Sequence, residues 1–132
     1  MKNKIYIFGN LLLDFDNTPL LIQPELSKLF PDIDFIIQDP NENLHPDNNE
    51  LVIIDTVEGV TEIKILTDID KIQTEPKYSM HDFDLGFNLK LLHKIGQLDK
   101  ITIFCVPMVI KKQVAIEQLV LMISDFYKSQ QS

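Results

Sequence analysis

Short apolar runs separated by polar, Pro- and Asn-bearing stretches set the rhythm of this chain, and each run predicts an element. Lys4 to Phe8 (KIYIF) is rich in β-formers and is followed by Gly9 and Asn10, which reads as a buried strand ending in a turn. Between Asn17 and Phe30 the pattern is interrupted by Pro19 and Pro24. A short helix is therefore expected to take Pro24 as its first residue and to end before Pro31. Asp34 to Ile37 (DFII) predicts a second strand, and the following QDPNENLHPDNN is a polar loop that offers nothing to a core. Leu51 to Ile54 (LVII) is the clearest buried strand, with Asp55 at its C-terminal end.

In the second half, Ile63 to Leu66 (IKIL) alternates as a further strand and Thr67 to Asp70 turns the chain. Met80 to Ile95 predicts a helix with Phe83, Phe87, Leu91 and Ile95 four apart, closed by Gly96 as its C-cap. Ile101 to Val106 (ITIFCV) is a last strand stopped by Pro107. Gln113 to Tyr127 is an amphipathic terminal helix with Ile116, Leu119, Val120 and Ile123 on one stripe. Strands alternating with helices define an α/β layered fold. No internal repeat is present, and 132 residues suit a single domain spanning positions 1–132.

Composition narrows the partners. Lys plus Arg number 12 against 20 Asp plus Glu, a formal charge of −8, so the chain lacks the basic footprint that nucleic acid requires. No run reaches the roughly 18–20 apolar residues of a membrane span, and MKNKIYIFGN lacks the apolar core of a signal peptide, which leads us to expect a cytoplasmic protein. With one cysteine, Cys105, there is no internal disulfide and no CxxC pair, so any metal must use carboxylate or imidazole ligands. Cys105 itself, inside an apolar strand, reads as a buried, inert thiol.

Open α/β sheets bind ligands outside the carboxyl ends of their strands, which directs attention to Asp14, Asp16 and Asp55. His81, opening the long helix with Ser79 as a possible cap, supplies the imidazole that a divalent cation would want beside carboxylates. An Asp at a strand end also serves as a turn former or helix cap, and spacing alone does not separate the two roles. His93 and His45 read as surface groups. Asp82 and Asp84 suit a helix start electrostatically, and Glu58-Gly59 reads as a turn.

At these residues a resemblance arises. The run Gly9-Asn10-Leu11-Leu12-Leu13-Asp14-Phe15-Asp16, with Leu51-Val52-Ile53-Ile54-Asp55 and the later Ser79-Met80-His81, resembles the hydrogenase maturation endopeptidases that trim nickel-iron hydrogenase large subunits. The resemblance implies a three-layer α/β/α sandwich on a five-stranded, mostly parallel twisted sheet of phosphorylase/hydrolase-like type. It further implies that Asp16, Asp55 and His81 are both the metal-binding and the catalytic set. The expected partner is a large-subunit precursor, the nickel is the precursor's own, and no organic cofactor is implied. The expected reaction removes the C-terminal extension once nickel has been inserted.

The chain departs from the family pattern at Ile7, where a Gly is usual, at Phe15, Asn17 and Pro19 around Asp16, and in the Gln38 to Asn43 loop, which replaces a Gly- and Thr-containing segment. These departures leave open a second reading, a non-catalytic binding or chaperone module of the same fold that engages the precursor without cutting it. A nucleotide-binding α/β domain fits less well, since Gly9-Asn10 lacks the Gly-rich cradle that phosphates need.

Overall fold

The computed structural model describes residues 3–8, 18–38, 44–68, 79–80 and 83–130. Strands β1 (Asn3–Ile7), β2 (Ile33–Ile37), β3 (Glu50–Glu58), β4 (Lys64–Leu66), β5 (Ser79–Met80) and β6 (Lys100–Val106) alternate with helices α1 (Thr18–Leu29), α2 (Phe83–Lys94) and α3 (Lys112–Gln130). Five strands form the main path of the sheet in the order β2-β1-β3-β6-β4. All neighbours are parallel except β4, which runs antiparallel along β6. The two-residue β5 lies off this path, antiparallel to the last residues of β3.

Side-chain alternation divides the core. On one face Ile5, Ile7, Val52, Ile54, Phe104 and Val106 pack under Leu20, Ile22 and Leu26 of α1 and under Ala115, Ile116, Leu119 and Ile123 of α3. On the other, Tyr6, Phe8, Leu51, Ile53, Val57, Ile103 and Cys105 pack with Leu89 of α2. The chain is thus an α/β/α sandwich on a five-stranded, mostly parallel sheet, as expected. Strands buried on both faces are near-continuous apolar runs because neither face has a wet side.

Several elements depart from the sequence expectation. Helix α1 begins at Thr18, not at Pro24, and carries Pro24 in its interior. Pro19 falls in the first turn, where a missing N–H costs nothing. Pro24 forfeits the bond to the Leu20 carbonyl, yet it lies on the exposed side while Leu20, Ile22 and Leu26 are buried, so packing outweighs the local penalty. Ser79 and Met80 pair with β3 rather than opening α2, so Ser79 does not cap that helix. Two positions of the expected α2 stripe, Leu91 and Ile95, are exposed, whereas Leu89 is buried and Leu92 packs beside it; the side chains of Phe83 and Phe87 lie outside the description.

Gly96 does terminate α2. Its φ of +79° and the bonds from Gly96 N to the His93 carbonyl and from Gln97 N to the Leu92 carbonyl form a Schellman cap. The polar loop is not without core residues, because Leu44 is buried at 6% exposure against the α2-side cluster. An Asp47–Glu50 turn with Asn48 and Asn49 both at positive φ follows it.

Candidate functional site

The C-terminal edge of the parallel sheet is fixed by three strand ends. The Phe8 amide, just past the end of β1, donates to the Ile54 carbonyl at 3.1 Å, and β6 keeps register with β3 through Thr56 and Val106. Leu29, at the far end of α1, stands with Asn3 and Ile33 at the opposite edge, so the first turn of α1 lies at the C-terminal edge. This is where an open α/β sheet binds ligands, beside the point at which the connections from β1 and β3 diverge.

Asp55 sits at this edge, and the structure corrects its context. It does not end the strand: β3 continues to Glu58, which places Asp55 inside an extended segment with no turn and no helix start for it to serve. It is fully buried. Taking a carboxylate out of water costs several kcal/mol that surrounding groups must repay, so turn-forming and capping roles do not account for this residue. Its register partner on β6 is Cys105, on the same face and also buried.

The Cys105 thiol is pushed up to about 12, first by burial and then by the nearby Asp55 charge, and its Sγ rests 3.7 Å from the Ile103 carbonyl. It therefore stays protonated and is no nucleophile. On the opposite face, Thr56 is buried, and its hydroxyl has no hydrogen-bond partner among the described residues.

The other predicted site residues are approached but not reached. Asp14, Asp16 and His81 lie outside the described residues, as do Asp82 and the Gln38-to-Asn43 loop beyond Gln38. Their chain neighbours are placed. On either side of Asp14 and Asp16, Phe8 is bonded to Ile54 and Thr18 opens α1. Met80, one residue before His81, stands opposite Val57, two residues beyond Asp55. Among the described residues no group of three His, Cys, Asp or Glu side chains converges as a metal site. His45 is exposed, and His93 is an exposed residue whose Nδ1 lies 3.0 Å from the Leu98 carbonyl.

Sequence reasoning missed two features here. The Asp55–Cys105 adjacency depends on β3–β6 register, for which a single sequence carries no signal. The β5 pairing involves only two residues, too few for periodicity to reveal.

No protein-family model matches the chain, and no curated protein matches its sequence. Among solved structures the fold is similar to the hydrogenase maturating endopeptidase HybD from E. coli, with a TM-score of 0.54 and 16% identity. The match covers 91% of this chain and 85% of that one. It establishes a distant relationship of fold. No described helix is long and apolar enough to cross a membrane.

Proposed function

We propose that this protein is an endopeptidase of the hydrogenase-maturation type. Its substrate is a nickel-iron hydrogenase large-subunit precursor, from which it removes the C-terminal extension after nickel insertion, and the substrate's nickel is recognised by Asp16, Asp55 and His81. The observation that carries this reading is Asp55, buried in the central strand at the C-terminal edge, with the chain that enters His81 paired to the end of that same strand. The likeness of fold to a hydrogenase maturating endopeptidase supports the class of reaction.

The donor types are consistent with the role. Two carboxylates and one imidazole suit a borderline divalent ion and leave positions for substrate thiolates or water. Because Cys105, the one cysteine of the sequence, is held protonated, no enzyme thiolate is at hand to attack the scissile carbonyl.

The test is to mix the purified protein with a nickel-loaded large-subunit precursor and follow the precursor's intact mass, alongside Asp55→Asn and His81→Ala variants whose folding is checked by circular dichroism. Loss of a C-terminal peptide in the wild type alone supports the reading. Stable binding without mass change, where an established maturation protease cuts the same preparation, would assign the chain to a binding or chaperone role. Neither binding nor cleavage would refute both.

A further inference from the structure

The sheet has one long free edge among the described residues, the outer side of β2. Parallel pairing fixes which backbone groups point there. The Gln38 amide donates to the Ile7 carbonyl at 3.1 Å, so residues 34, 36 and 38 direct their N–H and C=O groups toward β1. Ile33, Phe35 and Ile37 consequently turn theirs outward, away from the sheet.

Such an edge ordinarily carries a lysine, a proline or a bulge that discourages strand addition. The sequence of β2, IDFII, has none of these, and Ile37 is 54% exposed. Two of the outward groups are nevertheless occupied. The Ile33 amide donates to the Phe30 carbonyl at 3.1 Å. At the middle of the edge, the Gln23 side chain of α1 reaches over and donates from Nε2 to the Phe35 carbonyl at 3.1 Å. The same amide nitrogen contacts Ser27 Oγ at 3.1 Å, one helical turn along, which steadies the side chain.

We infer that Gln23 is an edge guard: its side-chain amide stands in for the missing neighbouring strand at Phe35 and blocks strand addition along β2. The Phe35 carbonyl is the acceptor an incoming strand would need at the centre of a five-residue edge, so occupying it interrupts the new ladder where register would be set. With the guard removed, the strand present in equal supply is the β2 of a second copy. Two identical edges related by a two-fold axis pair isologously and antiparallel, extending the sheet through both molecules.

The experiment compares the wild type with Gln23→Met, which keeps the stem and helix propensity but not the donor, by sedimentation across a concentration series. Gln23→Leu serves equally if the first variant folds poorly. Self-association at least about tenfold tighter than the wild type's is expected, the order of effect one exposed hydrogen-bonding edge position supplies. Amide exchange identifies the surface: in the wild type Phe35 and Ile37 exchange freely while 34, 36 and 38 are protected, and in the variant 35 and 37 become protected. Adding Ile37→Lys to the variant should reverse the association. Unchanged self-association, association without protection at 35 and 37, or wild-type amides already protected there would each overturn the proposal.

Discussion

Alkaline pH is a perturbation that reads the buried face around Asp55 directly. Cys105 is 2% exposed, and its thiol rises from 9.0 to about 12 through burial and then the Asp55 charge. Tyr127, near the end of α3, rises from 10.0 to about 12 through burial and then Glu50. The folded protein holds both protons where the unfolded chain releases them. The stabilisation from both is thus full below about pH 9, falls from about 9 for Cys105 and from about 10 for Tyr127, and is exhausted near 12.

Linkage gives about 1.4 kcal/mol per pH unit for each such group, so moving to pH 10.5 removes about 2 kcal/mol through Cys105 and about 0.7 kcal/mol through Tyr127. Urea unfolding at pH 8 and pH 10.5 measures the difference. In Cys105→Val the alkaline loss should shrink by about 2 kcal/mol relative to the wild type, and in Tyr127→Phe by less than about 1 kcal/mol. The constant cost of repacking the core cancels between the two pH values. An undiminished alkaline loss in Cys105→Val would show that the thiol is not held protonated beside Asp55, and the exclusion of Cys105 as a nucleophile would fall with it.

Two further substitutions test local arguments. Pro24→Ala restores a bond donor in the interior of α1 at an exposed position; about 3 kcal/mol of helix penalty against about 1 kcal/mol of lost unfolded-state restriction leaves a net gain of about 2 kcal/mol. An unchanged thermal midpoint would mean the helix has already absorbed the defect. Thr56→Val replaces a buried hydroxyl that has no partner among the described residues with an isosteric methyl, and should stabilise by about 1 kcal/mol in urea unfolding. Destabilisation instead would reveal a partner for that hydroxyl outside the described segments.

What the sequence disclosed and what it concealed follow from the range of each interaction. The strands at Leu51 to Ile54 and Ile101 to Val106 were legible because burial on both faces leaves a run of aliphatic residues that needs no phase. The Gly96 cap was legible because a positive φ is a local demand. The phase of the second half of α2 was not: a series spaced four apart, such as Phe83, Phe87, Leu91 and Ile95, drifts around a helix of 3.6 residues per turn, and Leu91 and Ile95 come out exposed while Leu89 is buried and Leu92 partly so. The start of α1 was hidden for the converse reason, since a real local penalty at Pro24 was overruled by contacts with β1, β2 and α3 that only the folded chain supplies.

Asp55 belongs to both cases. Its presence at the end of an aliphatic run marked it, yet the same run gave no means of choosing between a turn former and a site residue. That choice turns on the strand continuing to Glu58 and on the carboxylate being wholly buried, both consequences of pairing with β6 and β5. A carboxylate buried within a strand that runs on to Glu58 serves neither a turn nor a helix cap, and its place at the edge where parallel sheets present their ligands is what the proposed function rests on.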